Sequence, residues 1–512
     1  MGTRSRNSSA SAVPDRSGRA AARRAVRTSP LSALASDLPA SVVVFLVALP
    51  LCVGVAVASG VPAELGLITG IVGGLVTGLL PGSSLQVSGP AAGLTVLVAE
   101  AVRAYGLPAL GLIVVATGLL QLLLGVLRLG GWFRAISLSV VEGMLAGIGL
   151  VIIAGQLYAM ADRPAPATGL GKLTGLPSLA YGLVSSPTAR TAFILGTAVI
   201  VVIVAWQFLP NKARLVPGAL VAVGLAVGAR ALLDLPVATV EVSGLLQAVA
   251  VPDFAGLISL PLAGLAGTVL AFTLIASAES LFSAAAIDRL HTGPGTDFDK
   301  ELIAQGAGNT LSGLLGALPL TAVIVRSAAN VQAGARTKTS RVLHGTWLLL
   351  FALLLPGVLA MIPVAALAGV LVHAGFKLLP LKHLAPLWRK QRGEALILAA
   401  TAVSILAIGM FEGVLVGLGL SVAKTAWDTS HVKVETVDSG PQELTVKISG
   451  NATFLRLPKL LDSLDALPAH RPIRLDMTGL RHRDHACTMA LLAWAERHRG
   501  QGVTLVQLTP SV

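Results

Sequence analysis

The chain has 512 residues, of which 54% are hydrophobic, 55 are glycine and only 12% are charged. That charged share is about half the usual ~25% of a soluble protein, which excludes a water-soluble enzyme or nucleic-acid binder. The net charge of +13 does not restore a nucleic-acid reading, because seven basic residues crowd into the first 27 positions and most others fall between apolar runs. A polytopic membrane protein distributes its positive charge in this way.

Residues 1–30 are polar and Arg-rich (Arg4, Arg6, Arg16, Arg19, Arg23, Arg24, Arg27) and read as a disordered cytoplasmic tail. They are no cleavable signal, since the apolar stretch that follows is too long. A membrane-crossing helix needs ~20 mostly apolar residues. Runs that fit lie near 38–58, 62–80, 107–127, 136–158, 190–209, 214–232, 262–285, 301–318, 342–361, 364–381, 394–410 and 411–427. Two shorter segments, 90–103 and 327–337, are rich in Gly, Ala, Ser and Asn, and bring the expected count to fourteen. With the tail in the cytoplasm, the even-numbered connections hold fourteen Lys and Arg, among them Arg128, Lys212, Arg214 and Arg341. The odd-numbered ones hold five: Arg103, Arg163, Lys172, Arg190 and Arg230. The asymmetry supports that orientation and returns the C-terminal segment to the cytoplasm.

Beyond residue 428 the pattern changes. Leu444, Val446 and Ile448 alternate with polar residues as in a strand, residues 458–467 form a short amphipathic helix, 473–475 and 503–508 read as strands, and 488–499 as a helix. The expected domains are therefore the tail, a transmembrane domain over 31–428, and a small cytoplasmic α/β module over 429–512.

Charge within a bilayer costs at least ~2.5 kcal/mol per residue at a helix centre, so the exceptions point to function. In LQVSGPAAGL (85–94), Gln86 and Val87 look extended, Ser88 is a good N-cap, and Pro90 suits a first helical turn. The segment reads as a half-helix beginning inside the membrane, whose free N–H groups favour an anion. The stretch 317–337 repeats the design: an extended 321–325 leads through Arg326 and Ser327 into a short polar segment. Non-helical backbone at that depth is tolerated where it lines a cavity, and paired interruptions in two halves mark an inverted-repeat transporter. The bland alternatives are a tight turn and a loop arginine at the cytoplasmic face. Glu279, among apolar and small residues, is either a coupling group for H⁺ or Na⁺, a partner of Arg326, or a structural carboxylate. Gly70, Gly74 and Gly78 suit close helix packing. Glu142 and Glu412 read as interfacial. His482, His485 and His498 surround Cys487, where a metal site competes with a solvated basic surface. No phosphate loop, catalytic triad or zinc motif occurs, so no cofactor and no hydrolytic or ATP-driven mechanism is expected.

These stretches resemble the sulfate permease (solute carrier 26) family. The resemblance rests on residues 37–60, LQVSGPAAGLTV (85–96) and above all ELIAQGAGNTLSGLLGALPLTAVIVRSAANVQAGARTKTS (301–340), and residues 440–508 resemble a STAS domain. It implies an all-α membrane protein of fourteen segments in a 7+7 inverted repeat with core and gate subdomains. It also implies an anion bound between the third and tenth segments by Ser88, Gly89, Ala91, Val325, Arg326 and Ser327. The wording of residues 45–54 and 87–96 resembles a bacterial branch whose relatives are sometimes fused to carbonic anhydrase, which would favour bicarbonate. Leu51 stands where relatives often carry a glutamine, and Asp484-His485 where related regulators carry a phosphorylatable Asp-Ser. The expected activity is alternating-access transport of an inorganic anion across the plasma membrane, driven by H⁺, Na⁺ or exchange. A homodimer is the expected assembly. A dicarboxylate or nucleobase permease of the same architecture, an uncoupled channel, and a non-transporting membrane anchor for the C-terminal domain are the alternatives.

Overall fold

A computed structural model of the chain describes residues 30–135, 137–210, 216–242, 244–252, 262–438, 444–468, 472–498 and 502–506. The tail up to residue 29, Lys212, Arg214 and the end of the last expected strand lie outside the described residues. The chain divides into two compact units, 1–135 with 148–379, and 136–147 with 380–512.

The first unit is helical. It opens with α1 (Pro30–Ala58) and α2 (Ala63–Val72), the latter continued by a π-helical turn, Gly73–Thr77. A three-residue strand β1 (Ser88–Pro90) and a 3₁₀ turn (Ala92–Leu94) then lead into α3 (Thr95–Tyr105). Next come α4 (Leu107–Val126), α5 (Leu138–Ala159), whose first turns belong to the second unit, and the short α6 (Gly169–Thr174) and α7 (Leu176–Ser185). The unit continues with α8 (Pro187–Trp206), α9 (Gly218–Leu233), α10 (Leu245–Ala248), α11 (Leu262–Asp288) and α12 (Phe298–Leu314). Its last elements are β2 (Leu320–Ala322), α13 (Ile324–Gln332), α14 (Thr339–Leu354), α15 (Pro356–Ala360) and α16 (Val364–Leu378). Six of the described helices are long and apolar enough to cross a membrane. Each of the fourteen expected runs overlaps a described helix, but α1 begins at Pro30, well before its run at 38–58, and α13 ends at Gln332, short of the end of 327–337; α6 and α7 fall where the hydropathy pattern suggests only a loop.

Glycine decides how closely two pairs of helices approach. Cβ atoms at Gly70 and Gly78 would lie 2.9 Å from Leu348 Cδ1 and 3.2 Å from Val342 Cγ2 of α14, and one at Gly74 would strike the Gly345 backbone. The spacing read as a packing device is therefore a seam between α2 and α14. A second seam joins α4 and α12: a Cβ at Gly125 would stand 2.7 Å from Ile303 Cγ1, and one at Gly306 2.6 Å from the Leu122 amide nitrogen. This contact brings Gln121 of α4 against Asn309 of α12.

The second unit holds α17 (Leu381–Lys390), α18 (Arg392–Ile408), α19 (Met410–Thr429) and a four-stranded sheet. The strands β3 (Val432–Asp438), β4 (Leu444–Ala452), β5 (Ile473–Arg483) and β6 (Thr504–Val506) lie side by side in chain order. The pair β3/β4 is antiparallel; β4/β5 and β5/β6 are parallel, crossed over by α20 (Leu457–Asp465) and α21 (His485–Arg497). Val446, Ile448 and Leu475 face Leu460, Leu464 and Trp494 in one apolar core. β3 is absent from the sequence reading, although Val432 and Val434 carry the two-residue period. Trp494 Nε1 donates to Asp465 Oδ1 (2.6 Å), and His498 stacks on the Trp494 ring at 4.4 Å.

Asp484 caps α21, accepting from Cys487 N (2.8 Å) and Phe454 N (2.5 Å). Cys487 is fully buried, and among the described residues no cluster of His, Cys, Asp and Glu is placed to hold a metal. Burial, and then the Asp484 carboxylate, push the Cys487 thiol up to about 12. Because the thiolate is the nucleophile, its fraction stays negligible until pH approaches that value. A maleimide at pH 8 is therefore expected to leave Cys487 unmodified in the folded chain and to label it on unfolding. Mass spectrometry of the labelled peptides checks this; rapid labelling of the folded chain would refute it.

Candidate binding site

The two interrupted segments meet. β1 and β2 pair antiparallel, Ser88 with Ala322, Gly89 with Thr321 and Pro90 with Leu320. Val323 N extends the pairing by donating to Val87 O (3.0 Å). Two strands of three residues cannot satisfy their own backbone, and each unsatisfied group in a bilayer costs several kcal/mol. Side chains of the surrounding helices supply the missing partners. Asn309 acts as a substitute strand: its Oδ1 accepts from Leu320 N (2.7 Å), and its Nδ2 donates to Leu320 O (3.0 Å) and to Gln121 Oε1 (2.8 Å). From α11, Ser280 Oγ accepts from Ala322 N (3.2 Å) and Ser283 Oγ donates to Ala322 O (3.0 Å). Asn330 Nδ2 donates to Leu85 O (2.9 Å), and the buried Arg341 guanidinium donates to the carbonyls of Gly78, Leu80 and Gln86. Glu301, 1% exposed, accepts from Ser83 N (2.8 Å) and Gln305 Nε2 (2.7 Å). That same Gln305 nitrogen donates to Ser88 Oγ (2.7 Å).

The residues expected at the site converge, but several have other duties than expected. Ser88 is no N-cap and Pro90 no first-turn residue: both lie in β1, and helix begins only at the 3₁₀ turn Ala92–Leu94. The pairing with β2 holds 88–90 extended, and a proline at a strand end sacrifices no ladder donor. The extended stretch placed at 321–325 is likewise shorter, since α13 starts at Ile324 and makes Val325 helical. Ser327 Oγ accepts from Val87 N (2.8 Å) and donates to Val323 O (2.7 Å), so the hydroxyl joins the two segments. Ala91 is extended and 2% exposed, Gly89 is paired through its backbone, and Val325, 40% exposed, is the open side chain of the set.

Arg326 is 1% exposed and lies beneath β1. Its Nη2 donates to Pro90 O (3.1 Å), while Nε and Nη1 have no hydrogen-bond partner. Its neighbours include Cys52 and His344; the latter is fully buried, with neither ring nitrogen bonded. Among the described residues no carboxylate forms an ion pair with Arg326, and this corrects the reading of Glu279 as its partner. Glu279 sits instead against the 3₁₀ turn, where a Cβ at Gly93 would be 2.7 Å from its Oε2, with the Thr321 side chain in reach. That Oε2 is buried and has no hydrogen-bond partner. The assembly presents an uncompensated positive charge behind two short strands, the start of α13, and at one side a carboxylate with one unpartnered oxygen. Such an arrangement attracts an anion and can take up a proton or small cation beside it.

Sequence reasoning passed over Glu301, Gln305, Asn309, Gln121 and His344. A signal was present: Glu301, Gln305 and Asn309 recur every four residues along α12, a buried polar stripe on a helix of small and apolar residues.

Residues 34–401 match the model of the sulfate permease family, and residues 435–512 match an MlaB-type STAS domain. The "Bicarbonate transporter BicA" of Picosynechococcus is 26% identical over 420 residues, covering 77% of this chain and 70% of that protein. The "Probable sulfate transporter Rv1739c" of Mycobacterium tuberculosis is 29% identical over 418 residues, covering 78% and 71%. Among solved structures, the transmembrane domain of a cyanobacterial BicA superposes with a TM-score of 0.66 at 25% identity, covering 76% of this chain and 97% of that one. Murine Slc26a9, an anion transporter captured inward-facing, gives 0.75 at 15% identity over 98% and 90%, a likeness of fold alone.

Proposed function

The chain belongs to the sulfate permease family, and from that premise we propose that it carries a small inorganic anion, sulfate or bicarbonate, across the plasma membrane by alternating access. One observation carries the reading: an uncompensated, fully buried Arg326 underlies the antiparallel meeting of two interrupted segments. The anion binds where the backbone of Gly89–Ala91 faces the first turn of α13 at Val325–Ser327, and Arg326 supplies charge from behind. Residues 31–428 form the transporter, with fourteen segments in two inverted halves and both termini cytoplasmic; residues 429–512 form the STAS domain, and the protein works as a homodimer. The names of the bicarbonate and sulfate transporters it resembles support this substrate class.

Uptake of labelled sulfate, bicarbonate and fumarate into proteoliposomes tests the reading, with and without pH and Na⁺ gradients. Saturable uptake of an inorganic anion is expected. Uptake of fumarate alone, or none above empty liposomes, would overturn it.

Moving one negative charge inward against 100 mV costs ~2.3 kcal/mol, so accumulation needs a coupled cation or an exchanged anion. Glu279, whose Oε2 lies beside the site without a hydrogen-bond partner, is the coupling group. A pH difference of one unit supplies ~1.4 kcal/mol, about tenfold accumulation. Glu279→Gln is expected to abolish gradient-stimulated accumulation while anion exchange across the membrane persists. Undiminished gradient stimulation in that variant would remove Glu279 from the mechanism.

A further inference from the structure

We propose that a basic pocket beside the end of α19 binds the phosphate of an acidic phospholipid headgroup. The pocket, of about 480 Å³, is lined by His431, Lys433, Glu435, Arg456, Lys459 and Ser463 among others. The lining thus holds three permanent cations and one carboxylate. None of Lys433, Arg456 and Lys459 is in an ion pair among the described residues. The sheet and α20 fix the cations: Lys433 lies on the edge strand β3, paired with Ser449, and Lys459 and Ser463 are one turn apart on a helix anchored in the core by Leu460 and Leu464. Arg456 is held twice, by Nε donating to Ser430 O (2.9 Å) and by its guanidinium lying 4.2 Å over the Trp427 ring.

The placement selects the source of the phosphate. The inference rests on the reading above that α19 is the last membrane segment. Trp427 near its end is 52% exposed, and Phe454, two residues before Arg456, is 64% exposed. Exposed aromatic residues mark the headgroup level of a bilayer, and basic clusters just beyond a membrane segment bind anionic lipid at ~1 kcal/mol per cation.

Native mass spectrometry of the full-length, delipidated protein, titrated with phosphatidylglycerol or phosphatidylcholine, tests the pocket. The wild type is expected to retain phosphatidylglycerol preferentially. Each lysine-to-glutamine change should weaken that preference about fivefold, and K433Q/K459Q by roughly twenty-five-fold. R497Q, at an exposed arginine on α21 outside the pocket, should leave it unchanged. Competition by millimolar inorganic phosphate, without lipid selectivity, would overturn the lipid assignment and point to a soluble phosphate compound. Equal retention of both lipids by wild type and K433Q/K459Q, unaffected by phosphate, would overturn the pocket itself. The lysine variants are expected to keep anion uptake, so failure of the wild type to transport would count against the transport reading and not against this one.

Discussion

Replacing Arg326 with Ala is expected to raise the anion concentration needed for half-maximal uptake by roughly a hundredfold while the protein stays folded. A unit charge ~6 Å from a bound anion, at an effective dielectric constant of ~20, contributes about 3 kcal/mol. Here the charge is compensated by no carboxylate among the described residues, so its field is spent on whatever anion arrives. Folding does not depend on it: a buried cation with two unbonded donors is a burden, and removing it can be neutral or stabilising. Arg326→Lys keeps the charge but loses the tie to Pro90 O, and should retain most of the affinity. Concentration dependence of uptake for the three proteins, with thermal unfolding in detergent alongside, checks both halves. Unchanged affinity in Arg326→Ala would remove the residue from the site.

The second large effect concerns a residue that touches no substrate. Asn309→Ala strips Leu320 of the partners for both its N–H and its C=O, and leaves Gln121 Oε1 without its donor. Each orphaned buried group costs ~1–3 kcal/mol, so losing the partners of all three should cost roughly 3–9 kcal/mol. The apparent melting point in detergent should fall by several degrees, and uptake should fall with it because β2 loses its register against β1. Thr310→Ala, one position along the same helix, removes only a bond to its own Gly306 carbonyl and should cost under about 1 kcal/mol. Equal melting points for the two variants would show that Asn309 does not hold the strand.

Much of this architecture was legible in the residues, and the failures have a common cause. Apolar length located the helices, and the Gly/Pro/Ser interruptions located the two segments that meet, because the cost of polar backbone in lipid is a local property. The role of Ser88 was not local. In isolation Ser-Gly-Pro reads as the start of a helix; only the strand 230 residues later, and the Gln305 amide reaching Ser88 Oγ, make it extended. Ser327 shows the same limit, since its hydroxyl is consumed by Val87, on the other interrupted segment. Arg326 was found by its cost alone, but its position beneath the strand follows from Pro90 O, Cys52 and His344, which no spacing connects. In the C-terminal domain the alternation at 444–448 was enough for β4, while β3 went unread because its outward positions, Lys433 and Glu435, serve a surface and not a core.

Locating a bound oxyanion is the most direct test of the central claim. Anomalous diffraction from crystals holding selenate, a heavier analogue of sulfate, is expected to show its peak between the backbone of Gly89–Ala91 and the first turn of α13, and to lose it in Arg326→Ala. A peak confined to the cavity of about 400 Å³ lined by Arg103, Arg163 and Lys172, or a peak that survives in Arg326→Ala, would contradict the account.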